Sequence, residues 1–186
     1  MIFVFLANGF EEVEALIPVD VLRRVGKDVL TVSINETKEV TAAHGVTMIA
    51  DTLFGDNDYS DAELLFLPGG LPGSQYLAEH EALCHELVER NKKGGLIAAI
   101  CAAPALVLGT LGILEGKNAT CYPGCEGQMA GANYTAELVT VDGNIVTGEG
   151  PAAAFPFAYT LAGMLAGEEA AEAVAEGMRF KHLMEK

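Results

Sequence analysis

Residues 95–106 read GGLIAAICAAPA, and this stretch sets the expected architecture. The apolar run 96–100 has the length and composition of a buried parallel strand, and Ala102, Ala103 and Pro104 suit the tight start of a helix. Cys101 falls at the joint. A thiol there points into the crevice at the carboxyl end of an open sheet and faces the positive end of a helix dipole, which favours the thiolate. The same window is compatible with Cys101 as a small apolar core residue, so the choice rests on the rest of the chain.

A length of 186 residues fits one domain spanning 1–186. No run approaches the ~20 apolar residues of a membrane span, and the start MIFVFLANGFEE lacks the basic flank and cleavage site of a signal peptide. A soluble, cytoplasmic protein is expected. Eleven Lys and Arg against 26 Asp and Glu give a net charge of −15, which argues against nucleic acid and anionic membranes as partners. Cys84, Cys101, Cys121 and Cys125 are expected to be reduced thiols, and the sequons at Asn35, Asn118 and Asn133 carry no glycosylation meaning.

Working outward from the elbow, strands are expected at 2–7, 28–34 and 63–67, with short strands around a His44-Gly45 turn and a polar loop at 51–61. A helix from Phe10 to Val25 carries acids in its first turn and a Pro18 that should bend it. The corner PGGLPGS at 68–74 lets backbone N–H groups approach a ligand, with Ser74 as N-cap of one long helix over 75–93 closed by Gly94-Gly95. The helix after the elbow should run to Gly112. A strand and loop follow at 118–129, then a hairpin with its turn at Asp142-Gly143, an Ala-rich helix at 152–166 and an amphipathic tail. This alternation predicts a doubly wound α/β domain with a mostly parallel sheet.

Three stretches, GFEEVEALIPVDVLRR (9–24), LFLPGGLPGSQYL (65–77) and AAICAAPALV (98–107), together with GEGPAAAFPFA (148–158), resemble the ThiJ/PfpI superfamily, in particular its protein-deglycase branch. The resemblance implies a flavodoxin-like sandwich related to class I glutamine amidotransferases, a homodimer, and no cofactor. It also implies a nucleophile at Cys101, a carboxyl partner at Glu14 and an oxyanion-type pocket from the N–H groups of Gly69, Gly70 and Ala102. Taken alone, Glu14 reads as a solvated first-turn acid, and the resemblance reverses that preference. Two buried groups of this kind cannot both be anionic, so one of the two should hold a proton, and a protonated Glu14 could donate to the sulfur, lowering the thiol pKa.

The chain also departs from the family pattern. Ala102 replaces the histidine that follows the cysteine in the protease-like branch, and Tyr122 takes the place of a loop histidine found in the deglycase branch. Two arginines that line the pocket in some relatives align with His44 and Glu149, which should make the pocket less attractive to anions. Cys121 and Cys125 lack a complementary ligand cluster, so no metal is expected there, and a redox role as resolving thiols is the alternative. Cys84 should face the core, while His80, His85 and His182 read as solvated helix residues.

Two functions compete at this stage. The first is a cysteine-dependent glyoxalase or deglycase acting on small α-oxoaldehydes or their adducts under oxidative or carbonyl stress. The second is a redox sensor or chaperone-like protein that uses oxidation of Cys101. An amidase or peptidase is a weaker third, because Ala102 offers no base.

Overall fold

The computed structural model describes residues 1–185. The chain opens with β1 (Ile2–Leu6) and α1 (Glu12–Arg24), followed by β2 (Val29–Ser33), β3 (Glu39–Thr41), β4 (Thr47–Ile49) and β5 (Thr52–Leu53). Next come β6 (Leu64–Leu67), α2 (Gly73–Glu79), α3 (Glu81–Lys92) and β7 (Ile97–Ile100). A π-helical segment, Pro104–Gly109, leads to β8 (Asn118–Ala119), β9 (Asn133–Tyr134), β10 (Val139–Asp142) and β11 (Ile145–Gly148). Three helices close the fold, α4 (Ala154–Ala166), α5 (Glu168–Gly177) and α6 (Phe180–Met184).

Seven strands form one sheet in the order β10-β11-β7-β6-β1-β2-β5, parallel except for β10, which pairs antiparallel with β11. The expected doubly wound architecture is the one observed. Its central strands β1, β6 and β7 are continuous apolar runs because both faces are covered. Ile2, Val4, Leu6, Leu64, Phe66, Ala98 and Ile100 pack with residues of α1 and α4, including Phe157 and Leu161. The alternate residues Phe3, Phe5, Leu65, Leu67, Ile97 and Ala99 pack with Leu77, Leu83, Leu87 and Leu108 on the other face. The two-residue period of a strand therefore sorts one sequence into two cores.

This winding also sets the site. The chain leaves β1 and β6 toward opposite faces of the sheet, and ligands bind such α/β sheets where that switch occurs, beyond the carboxyl ends of the strands. The loops after β1, β6 and β7 meet there.

Several local expectations are corrected. The helix over 75–93 is two helices, because His80 leaves helical geometry (φ −81°, ψ 92°) and its Nδ1 accepts the Leu83 N–H at 3.1 Å, capping α3. Its ring also packs on Phe54 with centroids 4.6 Å apart, so His80 is a structural cap rather than a solvated side chain. Ser74 is not an N-cap: the helix starts two residues earlier than expected, at Gly73, and the Ser74 hydroxyl is buried without a partner. The hairpin turn lies one residue later than expected, at Gly143-Asn144, since Asp142 still pairs with Ile145. The loop at 51–61 supplies the edge strand β5 and a 3₁₀ turn, Phe54–Asp56. Cys84 is half-buried rather than core-facing and donates to the Ala78 carbonyl at 3.2 Å.

The cap yields the first prediction. His80→Ala should lower stability by about 1 kcal/mol, while His80→Asn, which can still accept the Leu83 N–H, should retain most of it. Urea unfolding midpoints measure both, and equal losses in the two variants would contradict a capping role.

Candidate active site

Cys101 follows β7 directly and adopts φ 65°, a left-handed conformation that costs a non-glycine residue about 1–2 kcal/mol. Two long-range backbone bonds hold it there. Its N–H donates to the Gly148 carbonyl at 2.9 Å, and its carbonyl accepts the Tyr122 N–H at 2.8 Å. The turn directs the thiol into the crevice, where the N–H groups of Gly70 and Ala102 point at the sulfur and favour its anion. The residue is nonetheless 8% exposed, which leaves a small opening toward solvent.

Glu14 lies in the first turn of α1 and is fully buried. Pro18, four residues on, lacks the N–H that would bond the Glu14 carbonyl. The side chain is held by one conventional hydrogen bond, with the Gly69 N–H donating to Oε2 at 2.9 Å. Its Oε1 is buried with no hydrogen-bond partner. Burial pushes Glu14 up to about 7, against the opposing pull of Cys101 and the Gly69 N–H. The thiol is pushed up as well, first by burial and then by the facing Glu14 charge.

Those opposing effects define the chemistry of the pair. With Glu14 ionised, the thiol is a poor nucleophile. With Glu14 protonated, the repulsion disappears and the carboxylic acid becomes a donor to the thiolate. The donor effect expected from sequence is therefore set against a desolvation that raises both groups, and the pair shares a single negative charge.

Gly69 differs from its expected role. Its N–H is committed to Glu14 and does not face the sulfur, which leaves Gly70 and Ala102 as the two backbone donors there. A side chain at Gly69 would place Cβ 2.5 Å from Glu14 Oε2 and 2.6 Å from Cys101 Cβ. The glycine is thus required by the approach of two side chains to each other, a reason that no local motif could reveal.

The remaining candidates divide into two groups. Tyr122 and Glu149 line a pocket of ≈330 Å³ with Pro123, Pro151 and Ala152. His44 does not line it. It sits in the turn between β3 and β4, largely exposed, with its N–H and Nδ1 both 2.9 Å from Glu12 carboxylate oxygens, and these contacts with Glu12 and Glu11 raise its pKa. Glu11, Glu12 and His44 bring ligand atoms within 4.8 Å of one another, the one grouping among the described residues able to hold a metal ion. Sequence reading missed it because the partners are 32 residues apart.

Cys121 and Cys125 are free thiols near the elbow loop. Burial pushes Cys121 up to about 12 and also raises Cys125, so neither is an activated thiolate.

The DJ-1/PfpI family matches residues 1–164. Protein DJ-1 homolog B of Arabidopsis thaliana is 44% identical over 171 residues, covering 91% of this chain and 39% of that protein. The chain therefore spans about two fifths of the length of that relative. A Caenorhabditis elegans protein named glutathione-independent glyoxalase DJR-1.2 is 34% identical over 161 residues, covering 86% of this chain and 84% of that protein. The crystal structure of Drosophila melanogaster DJ-1beta superposes with a TM-score of 0.91 at 37% identity, covering 95% of this chain and 96% of that one. On these matches, and on the flavodoxin-like fold they share with it, the chain belongs to the DJ-1/PfpI family.

Proposed function

We propose that the protein is a cofactor-independent glyoxalase that converts small α-oxoaldehydes into α-hydroxy acids through Cys101. The observation that carries this reading is the thiol on a left-handed elbow facing a buried carboxyl whose pKa is raised to about 7. A group that titrates near neutrality can both take and return a proton within one catalytic cycle. The C. elegans relative's name supports the same chemistry.

The steps balance without an external oxidant. As a thiolate beside protonated Glu14, the Cys101 sulfur attacks the aldehyde carbon of methylglyoxal, forming the C–S bond while the carbonyl electrons pass to oxygen, which takes the Glu14 proton to give a hemithioacetal and leaves Glu14 as a carboxylate base. In this scheme the N–H groups of Gly70 and Ala102, which face the sulfur, receive the developing oxyanion. Glu14 removes the proton from the former aldehyde carbon and returns it to the neighbouring carbon through an enediol. The first carbon is thereby oxidised to a thioester and the second reduced to an alcohol. Water adds to the thioester carbon, the C–S bond breaks, and lactate leaves with the thiol regenerated. Adducts of the same aldehydes on amines or thiols enter the scheme by releasing the free aldehyde, which is the deglycase form of the proposal. A homodimer is part of the reading, supported by Val13 and Leu16 on the exposed face of α1, which border an apolar groove with Phe155 and Met178.

A second reading has its own observation. Glu14 Oε1 is buried without a partner beside the sulfur, so a protonated Glu14 could bond an oxygen of a Cys101 sulfinate formed by two equivalents of peroxide. Under that reading the readout is a change of partner or assembly, and turnover of methylglyoxal is absent.

Two predictions follow from the carboxyl–thiol pair. Cys101→Ala should abolish formation of lactate from methylglyoxal, and Glu14→Gln should lower kcat/KM by about 10²–10⁴-fold and remove an acid limb centred near pH 7. Lactate assayed across pH measures both. Wild-type lactate formation that survives in Cys101→Ala would sink the thiol mechanism.

The second concerns stability. The folded-state pKa of Glu14 lies above the value of 4.5 expected when unfolded, so its contribution is full below 4.5 and is lost as pH rises through about 7. The loss amounts to about 3 kcal/mol. Glu14→Gln should flatten that decline in urea unfolding between those limits, whereas parallel pH profiles for parent and variant would show that Glu14 titrates normally.

A further inference from the structure

We propose that Glu149 is a charge selector at the mouth of the elbow, restricting the reactive thiol to uncharged or cationic aldehydes and turning away those that carry a carboxylate or phosphate. The substrate class rests on the aldehyde reading above, but the charge selection does not.

The placement follows from the backbone. The Cys101 N–H bonds the carbonyl of Gly148, the residue before Glu149, and the Cys101 carbonyl accepts the N–H of Tyr122. Tyr122 and Glu149 both line a pocket of ≈330 Å³, so one bond ties the elbow to a wall residue and the other to the residue before one. The Glu149 carboxylate is thereby held one residue from the backbone of the elbow, where its field acts on a charged molecule approaching the sulfur. Pro123, Pro151 and Ala152 supply apolar wall, no Lys, Arg or His is among the lining residues, and Glu149 carries the one full charge.

A competing field acts at the same place. The 3₁₀ turn Pro151–Ala153 and the start of α4 present a helix N-terminus to the pocket, which by itself would attract an anion. The helix end amounts to about half a positive charge, whereas the Glu149 carboxylate is a whole negative one. No ion pair or side-chain hydrogen bond neutralises Glu149 among the described residues. The net field at the pocket is therefore negative, of the same sign as the charge of −15 carried by the whole chain.

The test separates charge selection from turnover. Alkylation of Cys101 by neutral iodoacetamide and anionic iodoacetate is followed by mass spectrometry in the parent, Glu149→Gln and Glu149→Lys, with rates normalised to those of a free small-molecule thiol. The parent should favour iodoacetamide, Glu149→Gln should shrink that preference by roughly threefold to tenfold, and Glu149→Lys should shrink it further. Raising ionic strength from about 0.01 M to about 1 M should move the parent toward the Gln variant. In parallel, kcat/KM is compared for phenylglyoxal and 4-carboxyphenylglyoxal, and the neutral substrate's advantage should narrow in the same order. Unchanged alkylation ratios across the three proteins would overturn the assignment of Glu149. Ratios that shift as expected while neither arylglyoxal is turned over would uphold the selector and overturn the aldehyde as its substrate.

Discussion

The centre of this protein is a carboxyl and a thiol forced into one dry space, where only one of them can be charged. Water would let both ionise independently, but burial makes their protonation a joint property. Much of the surrounding structure enforces that proximity. Gly69 removes the one side chain that would separate them and spends its N–H on Glu14, while Pro18 releases the Glu14 carbonyl from the helix ladder. The elbow bears backbone strain to bring the sulfur into position. The energetic cost of the site is thus spread over three chain segments and offset by the two apolar cores that flank the sheet.

The pocket beside the couple has a different character. Its walls are mostly apolar, and its charge comes from Glu149 and the adjoining helix end. The couple decides what chemistry is available, while the rim acts on what arrives. These are separable properties, because Glu149 makes no contact that holds Cys101 or Glu14 in place; only the carbonyl of its neighbour Gly148 does.

The legible and illegible parts of the sequence differ in the range of the interactions that define them. Continuous apolar strands and the elbow at Cys101 are written in adjacent residues, and local periodicity was sufficient to predict a doubly wound, mostly parallel sheet. Glu14 could be recognised by resemblance, since nothing in its own helical turn distinguishes it from a solvated acid. The features that escaped depend on distant partners. His80 looks like one more polar residue in a helix until Leu83 N–H and Phe54 are seen on either side of it. Gly69 looks like a ligand-binding glycine until two side chains are found filling the space above it. His44 was aligned with the pocket, yet Glu12, 32 residues away, draws it to the start of α1.

The two backbone bonds of Cys101 have a consequence for the life of the chain before it is complete. Its N–H waits for Gly148 and its carbonyl for Tyr122, so neither can be satisfied until those later segments have been synthesised and paired. As the nascent chain emerges from its N-terminal end, Glu14, Gly69 and Cys101 are all present while the elbow that joins them is not. During that interval the cysteine is an ordinary solvated thiol, and its special reactivity begins when the last parallel strand docks.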